Sequence, residues 1–209
     1  MKCDFDCSAV IPVSQRIDDL PALLAEYNSA LQSSGKSYEM ILVLDGRKDE
    51  LLEPLRKFSA ERERVHLIQL ARQFGESAAL AAGFDAARGR ELLTLPAYYQ
   101  VEPAEITRLL SEGCGDADML IAVRPRPGVS FDKLRRRAFH LLFTFTSGMK
   151  FSDLGCGVRL LDRAVADEIP LYGDQHRFFA ALARQRGFRG GEFALKQSPQ
   201  DRCRGRFGV

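Results

Sequence analysis

The sequence lacks the features of several protein classes. No apolar run among its 209 residues approaches the roughly 18 needed to span a bilayer, and the N-terminal MKCDFDCS has no signal-peptide core. Its five cysteines contain no CxxC pair and have no nearby histidine pair, so a zinc site is not indicated. The net charge of +2 and the even mixture of acids and bases disfavour a nucleic-acid partner. We therefore expect a reduced, cytoplasmic protein that is soluble or peripheral to a membrane.

What is present is an ordinary globular composition. Hydrophobic residues make up 45% of the chain and charged residues 28%, which is enough to bury a full core. The length suits one domain better than two, and no repeat or low-complexity segment interrupts it. We therefore expect a single domain over residues 1–209.

Apolar strand patterns alternate with helical patterns along most of the chain. The predicted strands are 8–13, 38–44, 65–70, 92–95, 117–123, one within 151–161, and 191–195. The predicted helices are 18–31, 50–58, 76–87, 103–112, 163–169 and 176–187. This alternation predicts an α/β fold with a mostly parallel central sheet and helices on both faces. Such sheets bind ligands at the carboxyl ends of their strands, where residues 96–100 are expected to lie.

A basic segment breaks the alternation at 124–150. Its part 130–147 places Lys133, Arg135, Arg136 and Arg137 beside phenylalanines and leucines. This pattern suits a helix lying on an anionic membrane, and the alternative is a core-packing helix with a solvated basic end. The tail 197–209 is also basic and carries glycines, which suits either an anion-binding loop or a disordered end.

Several motifs together resemble the family 2 glycosyltransferases. They are AVIPV at 9–13, ILVLDG at 41–46, LARQFG at 70–75, AALAAGFDAARG at 78–89, GCGVRLLDR at 155–163 and HRFFAALA at 176–183. Their order and spacing are most similar to the branch that contains dolichol-phosphate mannose synthase and the bacterial undecaprenyl-phosphate sugar transferases. The resemblance implies a GT-A fold that transfers a sugar from a nucleotide-sugar to a polyprenyl phosphate.

The resemblance also implies a set of site residues. Those for the nucleotide-sugar are Pro12, Val13, Val43, Asp45, Arg72, Pro96, Ala97, Tyr98, Arg124 and Arg206. Those for the acceptor are Arg159, His176 and Arg177, and the candidate catalytic residues are Gln100, Arg159 and Arg177. Asp45 can accept from a base or ribose, and Arg124 and Arg206 can neutralise diphosphate oxygens. Structural alternatives stay open, namely an ion pair for Arg159 and helix capping or surface exposure for His176 and Arg177.

Departures from the family pattern concentrate at its metal site. Members carry Asp-Ala-Asp after the fourth strand to hold magnesium or manganese against the leaving diphosphate, but here the positions read Pro96, Ala97 and Tyr98. Proline offers no ligand and neutral tyrosine is a poor one, so we predict neither a metal ligand nor a cofactor there. Further family positions are replaced by Ser14, Gln15, Arg16, Leu44 and Gln200.

Three interpretations remain. In the first, the enzyme is active without metal, because Arg16 and Arg124, together with the tail residues Arg202, Arg204 and Arg206, stabilise the developing charge. In the second, the chain is a pseudoenzyme that serves as a binding or regulatory module. In the third, it is a structural domain whose crevice binds nothing. We predict that the protein belongs to the glycosyltransferase class. If 130–147 binds lipid, we expect the protein to lie at the inner face of the membrane. The sequence does not indicate the sugar, the oligomeric state, or whether the native chain continues into transmembrane helices.

Overall fold

A seven-stranded sheet forms the centre of the protein. The computed structural model describes residues 3–124, 153 and 155–201. The strands are β1 Phe5–Val13, β2 Tyr38–Leu44, β3 Val65–Gln69, β4 Gly89–Thr94, β5 Met119–Val123, β6 Arg159–Asp162 and β7 Gly190–Ala194. They are ordered β3, β2, β1, β4, β6, β5, β7. Strand β6 is antiparallel to both of its neighbours, and the other pairs are parallel. The prediction of a mostly parallel α/β sheet is confirmed.

Helices cover both faces of this sheet, as predicted. They are α1 Leu20–Ser33, α2 Asp49–Ala60, α3 Glu76–Ala86, α4 Pro103–Glu112, α5 Arg163–Glu168 and α6 Phe179–Gln185, with a 3-10 helix at Gln175–Phe178. The side chains of β1 alternate between the two layers, because successive residues of a strand point to opposite faces. Ile11 and Val13 pack with α1, α2 and α4, whereas Val10 packs with α3, α5 and α6.

Most element boundaries differ from the sequence prediction by one to three residues, and β1, for example, begins at Phe5 rather than at residue 8. Strand β4 begins at Gly89 rather than at residue 92, because Gly89 already pairs with Phe5 of β1 and its N–H donates to the Ser8 hydroxyl at 2.7 Å. The predicted helix 176–187 is divided into the 3-10 helix and α6. There the Ser77 hydroxyl lies 3.0 Å from both the backbone nitrogen and Nδ1 of His176, and these contacts join the 3-10 helix to α3.

Some predicted features lie outside the described residues. These are the helix 130–147, Gly205, and the arginines at 202, 204 and 206. Among the residues that the structure describes, no helix is both long and apolar enough to cross a membrane.

Candidate functional site

The carboxyl ends of β1, β2 and β4 meet at one edge of the sheet. Val13 is paired with Leu44, and Val10 with Thr94, so the loops that follow these strands emerge side by side. Pro12, Val13 and Val43 are buried within the strand ends. Strand pairing alone therefore brings three of the predicted nucleotide-sugar residues to this edge.

The loop after β4 is held rigidly at this edge. The Tyr27 hydroxyl donates to the carbonyl oxygen of Pro96 at 2.9 Å. Asp18 binds the loop twice, since its N–H donates to the Ala97 carbonyl at 3.1 Å and its carboxylate accepts the Tyr99 N–H at 3.0 Å. Pro96 and Ala97 are buried as a result.

The residues at the family's metal position do not fit a divalent cation. Pro96 has no side-chain donor, and burial, followed by the charge of Glu76, raises the pKa of Tyr98 to about 12. Tyr98 is therefore a neutral phenol at physiological pH and a weak ligand for a hard cation. Within residues 3–124, 153 and 155–201, no group of three or more His, Cys, Asp or Glu side chains could hold a metal ion.

A guanidinium group lies against Tyr98 instead. The central carbon of the Arg16 guanidinium is 3.9 Å from the centroid of the Tyr98 ring, which is close cation–π geometry. The same group lies 3.2 Å from the Asp201 carboxylate and 3.6 Å from that of Asp18. Its side chain is 37% exposed, so one side of Arg16 faces solvent.

Arg124 supplies a second, buried cation at the end of β5. Its side chain is 2% exposed and forms ion pairs with Asp153 at 2.9 Å and with Asp201 at 3.2 Å. Burial acts to lower the pKa of Arg124, but Cys156, Asp153 and Asp201 together raise it above its ordinary value. Arg124 is therefore always charged, and it shares the Asp201 carboxylate with Arg16.

Arg159 is a third cation in the same region. It begins β6 between Thr94 and Ile121, and it is only 6% exposed. Burial lowers the pKa of Arg159, and Cys156, Glu76 and Tyr98 are the largest charge influences on it. In the part of the chain that the structure describes, its guanidinium makes no hydrogen bond or ion pair. The ion pair that the sequence left open as a structural role for Arg159 is thus not found among the described residues.

Gln100 connects the loop after β4 to the glycine turn before β6. Its amide nitrogen donates to the Tyr98 hydroxyl at 2.9 Å, and its amide oxygen accepts the Gly157 N–H at 2.8 Å and the Cys156 thiol at 3.3 Å. Burial raises the pKa of Cys156 to about 11. The thiol therefore stays protonated near neutral pH, in line with its interpretation as a small buried residue.

Asp45 braces the loop after β3. Its buried carboxylate accepts hydrogen bonds from the Ser14 hydroxyl at 2.7 Å, the Phe74 N–H at 2.7 Å and the Gly75 N–H at 3.1 Å. Gly46 follows with φ +89°, and a Cβ there would lie 2.8 Å from the Gln73 nitrogen, so glycine is required for this close approach. Arg72, in the braced loop, is exposed and stacks on the Phe74 ring at 4.8 Å.

The two predicted acceptor residues of the 3-10 helix differ in their exposure to solvent. His176 is buried, with Nδ1 3.0 Å from the Ser77 hydroxyl and Nε2 3.6 Å from the Glu76 carboxylate. Arg177, the next residue, is exposed. The structure thus places Arg16, Tyr98, Arg124 and Arg159 in one region, and it leaves Arg177 at the surface.

The sequence analysis predicts no role for two acids of this site. Asp153 and Asp201 both form ion pairs with Arg124, from positions 29 and 77 residues further along the chain, and the Asp201 side chain is 1% exposed. The available signal was chemical, since a buried arginine needs a carboxylate partner. Nothing in the sequence says which acid that partner is.

Comparison with known proteins agrees with this geometry. The sequence model of the family described as Glycosyl transferase family 2 matches residues 8–169. The chain belongs to this family. It is also 33% identical over 178 residues to the undecaprenyl-phosphate 4-deoxy-4-formamido-L-arabinose transferases of Salmonella paratyphi B and Salmonella newport. The match covers 84% of this chain and 54% of theirs, so the chain spans about half the length of these curated relatives.

Solved structures of glycosyltransferases share the fold. Glucosyl-3-phosphoglycerate synthase from Mycobacterium tuberculosis, in complex with Mn²⁺, UDP-glucose and phosphoglyceric acid, has a TM-score of 0.64 at 14% identity, over 93% of this chain and 72% of that one. A mannosyltransferase from Pyrobaculum calidifontis, in complex with GDP-mannose and Mn²⁺, has a TM-score of 0.62 at 12% identity, over 95% and 58% of the two chains. The predicted GT-A fold of this family 2 member is confirmed.

Proposed function

We propose that this chain binds a nucleotide-sugar at the carboxyl edge of β1, β2 and β4 and transfers the sugar to a polyprenyl phosphate. Its curated relatives are undecaprenyl-phosphate sugar transferases, which supports this class of acceptor. The observation that carries the proposal is Arg159, a buried guanidinium at that edge that no hydrogen bond or ion pair of the described residues neutralises.

A buried cation without an ion pair or hydrogen bond lowers the stability of a protein. Arginines in cores are normally paired, because removing an unpaired charge from water costs several kcal/mol. A residue that is retained at such a cost is typical of a site whose counter-ion is a ligand. Phosphate is the anion that suits a planar guanidinium best, and the proposed acceptor supplies it.

The chemistry that this site would perform is a single displacement. An oxygen of the acceptor phosphate attacks the anomeric carbon, the bond from that carbon to the diphosphate oxygen breaks, and the nucleoside diphosphate leaves with the electron pair. Neither a protein nucleophile nor a proton acceptor is needed, because a phosphate monoester is ionised near neutral pH. The role left to the protein is to orient both substrates and to stabilise the charge on the leaving group.

Transfer can be tested directly. Purified protein is incubated with undecaprenyl phosphate in detergent and with labelled UDP-sugars or GDP-sugars, and lipid-linked label is extracted and counted. We expect product that depends on the lipid and falls at least tenfold in Arg159→Met. Nucleotide binding without any lipid-linked product, under all sugars tried, would instead support the pseudoenzyme interpretation.

Stability separates an acceptor role of Arg159 from a structural one. Arg159→Met removes a buried charge that no ion pair of the described residues neutralises, so its melting midpoint should equal or exceed that of the wild type. Arg124→Met is the matched control, because Arg124 is paired with Asp153 and Asp201, and its loss should cost about 3–5 kcal/mol. If Arg159→Met is destabilised as strongly as Arg124→Met, Arg159 is a structural residue.

A lipid acceptor also favours a membrane-surface location for the chain. The basic and aromatic pattern of 130–147 suits the interface of an anionic bilayer. Co-sedimentation with vesicles that contain anionic lipid should fall when Arg135, Arg136 and Arg137 are all replaced by glutamine. Unchanged co-sedimentation would refute this location.

A further inference from the structure

Two arginines of the site share one carboxylate. Asp201 Oδ1 accepts from both terminal nitrogens of Arg16 at 3.2 Å, and Asp201 Oδ2 accepts from Arg124 at 3.2 Å and from Gln197 at 3.0 Å. The Asp201 side chain is 1% exposed. Each oxygen of this anion is therefore held by a different guanidinium.

Arg16 and Tyr98 form a second part of the same arrangement. The guanidinium lies 3.9 Å from the ring centroid, so the aromatic face of Tyr98 stabilises a positive charge beside it. An aspartate in place of Tyr98 would need a cation between itself and a diphosphate. With Tyr98 in place of the aspartate, the positive charge comes from the guanidinium of Arg16, which is part of the chain.

We infer that Arg16 and Arg124 form a metal-independent binding site for the diphosphate of a nucleotide, and that the Asp201 carboxylate occupies this site in the absence of ligand. Only the choice of a nucleotide as the ligand rests on the proposed function, because the site itself requires no more than two linked phosphates. Guanidinium pairs bind phosphate oxygens in the same fork geometry as carboxylate oxygens. A diphosphate carries more charge than Asp201 and can replace it on both arginines.

The occupied state reduces the apparent affinity of the site. A ligand must displace Asp201 before it reaches Arg16 and Arg124, and its apparent dissociation constant is the intrinsic value divided by the fraction of molecules in which the site is open. Asp201→Asn keeps the shape of the side chain and removes its charge, so displacement becomes easier. Arg16 and Arg124 retain Asp18 and Asp153 as partners in this variant.

Calorimetric titration tests this site with three probes, inorganic pyrophosphate, UDP and GDP, each with excess EDTA and then with Mn²⁺. We expect pyrophosphate to bind in EDTA, at least tenfold more weakly in Arg16→Gln, and three- to tenfold more tightly in Asp201→Asn. Arg90→Gln is the matched control, since Arg90 is an exposed arginine of β4. Tyr98→Leu should weaken binding more than Tyr98→Phe, which keeps the ring. Melting midpoints confirm that each variant is folded.

The outcomes separate this inference from the proposed function. Binding that requires Mn²⁺, or an Arg16→Gln titration equal to that of Arg90→Gln, overturns the metal-independent site and leaves the glycosyltransferase proposal standing. Weaker binding in Asp201→Asn overturns the assignment of Asp201 as an occupant. Pyrophosphate binding through Arg16 without binding of either nucleotide supports the inference and counts against the proposed function. No binding of any probe to the wild type or to Asp201→Asn overturns both.

Discussion

Replacing Asp45 by alanine should destabilise the protein more than the loss of any exposed acid. The carboxylate lies at the end of β2 and is 1% exposed. It accepts three hydrogen bonds, from the hydroxyl of Ser14 and from the backbone of Phe74 and Gly75. Those bonds join the loops after β1 and β3, so the substitution separates two loops of the candidate site.

The magnitude follows from the number and type of these bonds. A hydrogen bond to a charged group contributes about 1.5–3 kcal/mol, and donors near the surface recover part of this by binding water. Since the loop of Phe74 is partly exposed, we expect a net loss of about 3 kcal/mol. For a domain of this size that loss lowers the melting midpoint by roughly 6–12 °C.

Urea and thermal unfolding, followed by circular dichroism, measure the effect. Asp49→Ala is the matched control, because Asp49 is an exposed acid at the start of α2, where the helix dipole gives it about 0.3–1 kcal/mol. Asp45→Asn should fall between the two, since the amide keeps one acceptor oxygen. The reasoning is refuted if Asp45→Ala loses no more stability than Asp49→Ala.

Three further predictions concern packing and titration. Gly89→Ala should lower the free energy of unfolding by about 1–3 kcal/mol in urea, because the new Cβ would lie 2.5 Å from backbone. Gly157→Ala is the control and should be near neutral, since its nearest neighbour is at 3.5 Å, and equal losses in the two variants would contradict the geometry. The pKa of Tyr98 is raised to about 12, so the folded state keeps this proton when the unfolded state has lost it. The stabilisation is complete below pH of about 10 and is lost as the pH rises toward 12, and Tyr98→Phe should flatten this decline; an unchanged slope argues against a buried Tyr98. Iodoacetamide near neutral pH should label the exposed Cys3 at least tenfold faster than the buried Cys156, whose pKa is about 11, as read by peptide mass spectrometry; comparable labelling would contradict the burial.

The sequence predicted the elements well where local signals define them. Helix α4 runs over the predicted residues 103–112, because Pro103 begins it and Gly113, with φ +64°, ends it. Strand β2 likewise matches its prediction, since the apolar run from Met40 to Leu44 is followed by the turn residues Asp45 and Gly46. These signals act over a few residues, so they can be read without knowledge of the rest of the chain.

The pairing of β6 shows where local signals end. Its apolar pattern predicted a strand, but not that the strand would lie antiparallel between β4 and β5. Strand direction depends on how the chain returns to the sheet after residue 124, and periodicity carries no information about that path. The position of Arg159 between Thr94 and Ile121 follows from this pairing, and so its burial could not be predicted.

By itself, the sequence determined the alternation of strands and helices, the membership in glycosyl transferase family 2, and the loss of both acids at Pro96 and Tyr98. Each of these depends on which residues stand at which positions. The tertiary structure alone decided that the Arg16 guanidinium lies on Tyr98 and that Arg16 and Arg124 share Asp201, a residue 185 positions from Arg16. Contacts at such separations are set by strand order and loop direction, and buried charges then select the partners that the fold brings within reach.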